Sequence, residues 1–364
     1  MTHRGTGSVS GPATKLHEGG LLSGGVGDQD LGATASARRA VMRRGGEISR
    51  SPLTAIVVAL VALVVALGIG APAFLTIGNW RNILNDGSII GLPAIGGTAV
   101  ILLGEIDLST GAVVGLSGMW SAVLLEHVHD GVLALVVALG SGLVAGLFIG
   151  ISVAYLKLNS FIVTLSVFYM GSGLLLYISG GNTLTDLGGD VTWLGSATFD
   201  GFEAGCVLTI VLFAVGLFVL RKTVVGRHIY AIGGNREAAR LAGIPVAPVI
   251  CATFVVAGLL SAAAGLVVCG QLDAAAPTAG GANVVLEVIA AVIIGGTSLS
   301  GGKGGLVGTF VGVLFIEIIN NGLTLLDVSP FLVEFIEGVL IFAAILVDVG
   351  YVRRFRNRSV RPAP

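Results

Sequence analysis

The stretch that decides the fold class is LTAIVVALVALVVALGIGAPAFL, residues 53–75, which holds no charged side chain. A helix needs roughly 20 predominantly apolar residues to cross the hydrocarbon core of a bilayer, so this stretch is long enough to span one. It follows about fifty polar residues and is longer than the apolar core of a signal peptide. We therefore interpret residues 53–75 as an uncleaved first transmembrane span.

The composition extends this interpretation to the rest of the chain. Hydrophobic residues make up 54% and charged residues 11% of the 364 residues, and the mean hydropathy is +0.95. Soluble domains carry about 25% charged residues, so this chain has too few charges to cover their surfaces. The other apolar runs are too long and too uniformly apolar for barrel strands, which leaves helices. The sequence predicts an all-α membrane protein of about ten transmembrane helices. Further predicted spans are 88–104, 108–125, 132–156, 161–179, 204–220, 247–270, 284–299, 305–326 and 331–347.

Charge gives the orientation, because Lys and Arg collect in cytoplasmic loops. With ten spans and the N-terminus inside, Arg81 is the one basic residue placed outside. The sequence therefore predicts a multi-pass membrane protein with both termini cytoplasmic. The basic residues placed inside near span ends are Arg38, Arg39, Arg43, Arg44, Arg50, Lys157, Arg221, Lys222, Arg227, Arg236, Arg240, Lys303, Arg353, Arg354, Arg356, Arg358 and Arg361.

The predicted transmembrane domain covers residues 51–350, with a tail at each end. Residues 1–50 lack apolar periodicity, which predicts a disordered basic cytoplasmic tail, and 351–364 form a second basic cytoplasmic tail. The basic cluster at 38–50 either contacts anionic membrane lipid or only fixes the topology. A net charge of −1 gives no indication of nucleic acid binding.

The stretch GRHIYAIGGNREAARLAGI, residues 226–244, lies in a predicted cytoplasmic segment but does not resemble a linker. Two glycines predict a turn, an asparagine predicts an N-cap, and a later glycine predicts the end of a short helix near 234–243. A helix this short is marginal in water, so it either docks against a partner or is a simple connector. The residues assigned to this feature are Gly233, Gly234, Asn235, Glu237, Ala238, Ala239, Arg240 and Gly243.

Glu237-Ala238-Ala239 followed by Gly243 resembles the EAA loop of ABC importer permeases. The longer phrase at 230–244 resembles the ribose/xylose/galactose permease family in particular, and the resemblance covers about residues 75–350. Glu105 stands where most members of that family have glycine, which brings the chain closer to xylose permeases, and Asn159 stands where the family often has proline. Other matching stretches, in order, are EIDLS at 105–109 with Gly111, SFIVTL at 160–165, IGGTSLSGG at 294–302, NNG at 320–322 and LDV at 326–328.

The resemblance implies a transport subunit of the bacterial inner membrane that catalyses no bond chemistry. Its short helix would be a coupling helix in a groove of a separate ABC ATPase, and that partner would bind ATP and Mg²⁺, so that this chain binds no cofactor. A periplasmic-type sugar-binding protein would deliver a monosaccharide, with xylose or a related pentose or hexose favoured. A second permease copy is implied, as a homodimer. The residues agree with this division of work: the chain has no G-x-x-x-x-G-K-[ST] phosphate loop.

Polar residues within or between the predicted spans are candidates for a substrate path. Such residues are costly in lipid and should face the bundle interior, where they either line a path for a hydroxylated solute or hold helices together. Asp107 fits both roles equally, and Glu317 favours the second. The main alternative is a stand-alone ion-coupled transporter using the same buried carboxylates, although such a protein needs no EAA-type helix. No metal-ligand spacing is present. The candidate path residues are Glu105, Asp107, Ser109, Asn283, Glu287, Asn320 and Asn321.

Overall fold

A computed structural model of the chain describes residues 52–128, 130–187, 193, 195–329, 331–339, 342–343 and 346. The predicted tails at 1–50 and 351–364 lie outside these described residues, as does much of the predicted tenth span, so they stay predictions.

The described chain is built almost entirely from helices. Residues 331–339 are also helical, and Pro72–Leu75 forms a short 3₁₀ helix. The α-helices are α1 (Pro52–Gly70), α2 (Ile77–Leu102), α3 (Thr110–Val128), α4 (Gly131–Ala154), α5 (Ser160–Ser179), α6 (Ala204–Lys222), α7 (Val224–Gly234), α8 (Arg236–Leu241), α9 (Val246–Leu272), α10 (Gly281–Ile294) and α11 (Leu306–Leu325).

Among the described residues, four two-residue strands lie in the connections at one end of the bundle. β1 (Leu184–Thr185) pairs antiparallel with β4 (Ala274–Ala275), and β2 (Thr198–Phe199) pairs antiparallel with β3 (Phe202–Glu203). The β1–β4 pair ties the long connection between α5 and α6 to the segment after α9, and the β2–β3 pair is a hairpin within that connection.

The length and polarity of the helices confirm the all-α membrane class. In the part of the chain that the structure describes, seven helices are long and apolar enough to cross a membrane: α2, α3, α4, α5, α6, α9 and α11. The apolar part of α1 and the whole of α10 are shorter. The count of ten spans and the position of the termini stay predictions.

The bundle is organised around α9, which packs against α2, α3 and α4. α4 approaches α9 through a stripe of glycines, and a β-carbon at Gly146 would lie 2.6 Å from the carbonyl oxygen of Phe254. Small residues at helical spacing let backbones approach closely in lipid. This glycine stripe is therefore a packing surface.

The predicted end of the first span is wrong, since α1 ends at Gly70 rather than at 75, and Pro72, which has no backbone N–H to continue the helix, begins the short 3₁₀ helix. Two boundaries further along the chain are also wrong, and buried polar groups explain the first. α2 begins at Ile77 rather than at 88, with the Thr76 hydroxyl accepting a hydrogen bond from the Asn79 amide at 3.3 Å. Its first turns hold buried Asn79 and Asn85, whose side chains are paired with other parts of the fold. A hydropathy pattern predicts a loop at such polar residues, because it contains no information about their hydrogen-bond partners in the fold.

The second boundary lies between α10 and α11. α10 ends at Ile294 rather than at 299, and Gly296 follows with a φ of +84°. The connection predicted as a tight turn near 301–305 is therefore a longer non-helical segment, 295–305, which we call the glycine loop. It lies at the same end of the bundle as α7 and α8.

Candidate functional site

The segment joining α6 to α9 contains two helices. The Thr223 hydroxyl accepts a hydrogen bond from the Gly226 amide at 3.4 Å and caps α7, which continues to Gly234. The predicted turn at Gly233 and Gly234 is therefore wrong, since both residues belong to the last turn of α7. The physical reason is packing: a β-carbon at Gly233 would overlap the carbonyl oxygen of Leu102 at the end of α2.

The short helix α8 follows at once, where the sequence predicts one. Asn235 caps it by accepting a hydrogen bond from the Ala238 amide at 2.9 Å, and Gly243 ends the turn after it with a φ of +81°. That left-handed conformation is open to glycine at little cost. The chain is thus led out of α7 and back into α9 by a capped helix of six residues.

The two alanines of α8 face in different directions. Ala239 is 4% exposed and packs against the chain's own core, whereas Ala238 is exposed. Glu237 and Arg240 form an ion pair at 2.6 Å, with about two thirds of each side chain exposed (65% and 66%). α8 therefore presents Glu237, Ala238 and Arg240 outward, and only the outward alanine is free to contact another protein.

The break between α2 and α3, residues 103–109, is held in place by α5. The Ile106 amide donates to Ser160 Oγ at 3.3 Å, and Thr164 Oγ1 donates to the Ile106 carbonyl at 3.3 Å. Both Ser160 and Thr164 come from the SFIVTL stretch. Two stretches that resemble the permease family are therefore in direct contact.

Within this break, Asp107 is hydrogen bonded to Ser109, the residue just before α3. Its Oδ1 atom accepts hydrogen bonds from the Ser109 amide at 2.9 Å and the Ser109 hydroxyl at 2.6 Å. The side chain is buried, which raises the pKa of Asp107, while the hydrogen bonds from Ser109 lower it. In this conformation both Asp107 and Ser109 are engaged with each other.

Glu105 links the same break to α8. Arg236 Nη2 lies 2.9 Å from Glu105 Oε1, and the side chains are 51% and 11% exposed. Glu105 is therefore part of a cytoplasmic-end ion pair in the predicted orientation, and its carboxylate is not free to line a path. The sequence prediction does not include Arg236 among the site residues, although its position within the 230–244 stretch indicates that it belongs to the same feature.

The glycine loop completes the junction. The Gly302 amide donates to the Leu102 carbonyl at 2.8 Å, and the Tyr230 hydroxyl donates to the Gly304 carbonyl at 2.9 Å. Burial raises the pKa of the Tyr230 phenol, and the charge of Arg221 opposes this. A cleft of about 230 Å³ lies between α6, Tyr230 and the glycine loop. In the described residues, no group of three or more His, Cys, Asp or Glu side chains could hold a metal ion.

The remaining candidate path residues lie towards the opposite end of the bundle. Asn79 and Asn321 form a reciprocal pair of side-chain hydrogen bonds at 2.8 and 3.0 Å, and Asn283 donates to Glu334 at 3.0 Å. Asn79 is roughly 35 Å along α2 from Leu102, from the usual rise of a helix. The structure therefore does not bring the predicted path residues into one site.

Two further candidate path residues lie on α10 and α11. Glu287 is half-buried on α10. On α11, Asn320 Oδ1 is buried and has no hydrogen-bond partner among the described residues. A buried polar atom without a partner is costly, so Asn320 is the candidate whose environment most needs a further ligand or water.

Four stretches that lie far apart in the sequence thus meet at one end of the bundle: 105–109, 160–165, 230–244 and 294–302. At their centre the exposed helix α8 is anchored to the ends of the spanning helices. This arrangement can pass a force applied to α8 into the bundle.

Comparison with known proteins identifies the family. The family described as branched-chain amino acid transport system / permease component matches residues 79–345. The ribose import permease protein RbsC of Bacillus subtilis (strain 168) is 41% identical over 291 residues, covering 79% of this chain and 90% of that protein. The L-arabinose ABC transporter permease protein AraH of Azospirillum brasilense is 33% identical over 318 residues, covering 87% and 93%.

A third relative is the probable ABC transporter permease protein YphD of Escherichia coli (strain K12), 36% identical over 325 residues, or 89% of this chain and 95% of that protein. No solved structure matches this chain. The family match and these relatives agree with the resemblance carried by the four converging stretches. The chain is therefore a multi-pass membrane protein that belongs to this permease family, as an ABC transporter permease for sugar import.

Proposed function

We propose that this chain is the membrane-spanning subunit of an importer that moves a monosaccharide into the cytoplasm by alternating access, driven by ATP hydrolysis in a separate ATPase. The observation that carries this proposal is the exposed, capped helix α8, which is joined to the 103–109 break through the Arg236–Glu105 ion pair. The break is in turn bonded to α5, and the preceding helix α7 is bonded to the glycine loop. A stand-alone transporter has no need for such a projecting helix.

The shape of α8 supports docking into a groove. The helix has six residues, a length that is marginal in water without support. Ala239 fixes one side to the chain's own core, and the exposed side carries the small residue Ala238 between two charged groups. A narrow centre flanked by charges fits a complementary groove, in which Glu237 or Arg240 would exchange its exposed partner within α8 for a charged group of the ATPase. ATP and Mg²⁺ would then be bound by that ATPase and not by this chain.

The proposed cargo is xylose or a related pentose or hexose. Two relatives are named for ribose and L-arabinose, which are both pentoses. The stretch containing Glu105 tilts the choice towards xylose by its resemblance to xylose permeases. A periplasmic-type binding protein would deliver the sugar, and two permease copies would assemble, since each ATPase of a pair needs one coupling helix.

The proposed path has two parts, because the candidate residues lie at both ends of the bundle. Asp107 and Ser109 would act near the α8 end, and Asn283, Glu287 and Asn320 near the other end. Alternating access needs a barrier at each end that opens in turn, so two separated groups of polar residues suit it. Asn321 is engaged with Asn79 and acts in our proposal as a contact between α2 and α11.

The test is sugar uptake into vesicles that contain the permease, its ATPase and the binding protein. We expect uptake of xylose or a related sugar that requires ATP, and we expect the ATPase to co-purify with two permease copies. Vesicles that contain the permease alone serve as the control. Uptake by the permease alone that follows an ion gradient would instead establish the stand-alone transporter.

A further inference from the structure

We propose that the Glu105–Arg236 ion pair is the positioning contact that makes the 103–109 break follow the movement of α8. This inference rests on the proposed function, because it assumes that an ATPase moves α8. It adds a specific route by which that movement reaches the spanning helices.

The first support is the geometry of the pair. Arg236 is the first residue of α8, and its Nη2 atom lies 2.9 Å from Oε1 of Glu105, a residue far away in the sequence. Only 11% of the Glu105 side chain is exposed, whereas Glu237 in the neighbouring pair is 65% exposed. A largely buried carboxylate is weakly screened by water and depends on its partner more than an exposed one does.

The second support is what Glu105 is attached to. The next residue, Ile106, is bonded through both its amide and its carbonyl to Ser160 and Thr164 of α5. Asp107, one residue further, holds the start of α3 through Ser109. A displacement of Glu105 would therefore be passed to α5 through Ile106 and to the start of α3 through Asp107.

The third support is that α8 has few other attachments to this break. Of the six residues of α8, all of them described, Ala239 alone is buried. The close backbone contacts of Gly233 and Gly302 with Leu102 belong to the end of α7 and to the glycine loop. The Gly233 contact resists compression, and the hydrogen bond from the Gly302 amide joins the glycine loop, not α8, to the end of α2. A pull on α8 needs an attractive contact of α8 itself with the break, and the ion pair supplies one.

The control is the ion pair between Arg81 and Asp200, which lies at the end of the bundle away from α8. Arg81 Nη2 is 3.8 Å from Asp200 Oδ1, and the two side chains are 36% and 97% exposed. Loss of that pair removes a surface charge without touching α8 or the 103–109 break. Such exposed pairs contribute little by themselves.

The experiment uses the complete reconstituted importer and measures sugar molecules transported per ATP hydrolysed. For Glu105→Gln and for Arg236→Gln we expect normal ATPase co-purification but a fall in this ratio of at least about 5-fold, the lower end of usual coupling strengths. The double variant Glu105→Arg with Arg236→Glu should recover much of the ratio, because the pair is restored in reverse. The control variants Arg81→Gln and Asp200→Asn should keep the wild-type ratio.

Two outcomes would overturn the inference. One is an unchanged ratio in both single variants. The other is loss of ATPase binding in Arg236→Gln while Glu105→Gln behaves as wild type, since Arg236 would then belong to the ATPase interface. If the wild-type permease itself fails to retain an ATPase, the proposed function fails instead. If Glu105→Gln does not fold, as judged by size-exclusion chromatography, the reversed pair decides: no recovery of the ratio refutes the proposal.

Discussion

At the scale of single residues, Gly233 is required by packing and its neighbour Gly234 is not. A β-carbon at Gly233 would overlap the Leu102 carbonyl, whereas one at Gly234 would meet nothing within 4 Å. We therefore expect Gly233→Ala to destabilise the purified permease by about 1–3 kcal/mol, the usual cost of overpacking. Gly234→Ala should be neutral or slightly stabilising, because alanine favours a helix over glycine. Thermal unfolding in detergent measures both, and equal midpoints for the two variants would contradict this packing.

Asp107 allows its charge and its hydrogen bonds to be tested separately. Asn keeps an oxygen that accepts from Ser109, whereas Ala leaves the buried amide and hydroxyl without a partner, at a cost of about 1–3 kcal/mol. If the carboxylate serves the sugar path, Asp107→Asn should lower uptake while stability and ATPase assembly remain normal. Asp107→Ala should lower stability as well. Normal uptake by the Asn variant would assign Asp107 to holding the start of α3 only.

At the scale of elements, the end of α8 depends on backbone conformation and not on space. Gly243 has a φ of +81° and no atom within 4 Å of a built β-carbon. Left-handed backbone costs an L-residue roughly 1–2 kcal/mol, and a β-branched residue is among the least suited to it. Gly243→Val should therefore reshape the exit from α8 and reduce ATPase co-purification and sugar uptake. Gly243→Asn, which tolerates this conformation, is the control and should retain both.

The two alanines of α8 require different experiments. Ala239→Asp would place a charge in the chain's own core, so loss of uptake in that variant would not report on docking. Ala238 is exposed, and Ala238→Trp should fill the proposed groove contact without disturbing the fold. We expect this variant to insert and to unfold at the wild-type temperature but to lose the ATPase. Full ATPase binding and full uptake by Ala238→Trp would mean that α8 is only a connector.

The elements that sequence predicts well are those whose signal is local. Long apolar runs indicate the spanning helices, and Asn235 with Gly243 indicates the limits of α8. The start of α2 could not be found in this way, because Asn79 and Asn85 are polar residues satisfied by distant partners. The packing role of Gly233 could not be predicted either, because a glycine in a sequence indicates a turn as readily as a close contact between helices.

At the scale of the whole molecule, the convergence of the four stretches could not be predicted from their spacing. Glu105 and Arg236 meet at 2.9 Å, and Ile106 meets Ser160, across long separations in the chain. Family resemblance shows that each stretch belongs to a permease, but the meeting point follows only from how α2, α5, α7 and the glycine loop pack. The division of the candidate path residues between the two ends of the bundle follows from the same packing.

The orientation of the bundle gives the last prediction. Lys157, Arg236 and Lys303 lie on connections at the α8 end, and Arg221 lies in the last turn of α6 at the same end, which the positive-inside rule places in the cytoplasm. Cysteines introduced at Asp200 and Arg240, both exposed positions, should therefore face opposite sides of the membrane.

The introduced cysteines need a background in which Cys206, Cys251 and Cys269 are replaced, so that the label reports a single position. Each substitution removes a different exposed ion pair. Such pairs contribute little to stability, so the fold should be unaffected. In intact cells, with the outer membrane opened to a membrane-impermeant maleimide, Asp200→Cys should react at once. Arg240→Cys should react only after the inner membrane is permeabilised. Reaction of Arg240→Cys in intact cells would place α8 outside, where no ATPase could reach it, and would reject both the orientation and the proposed coupling.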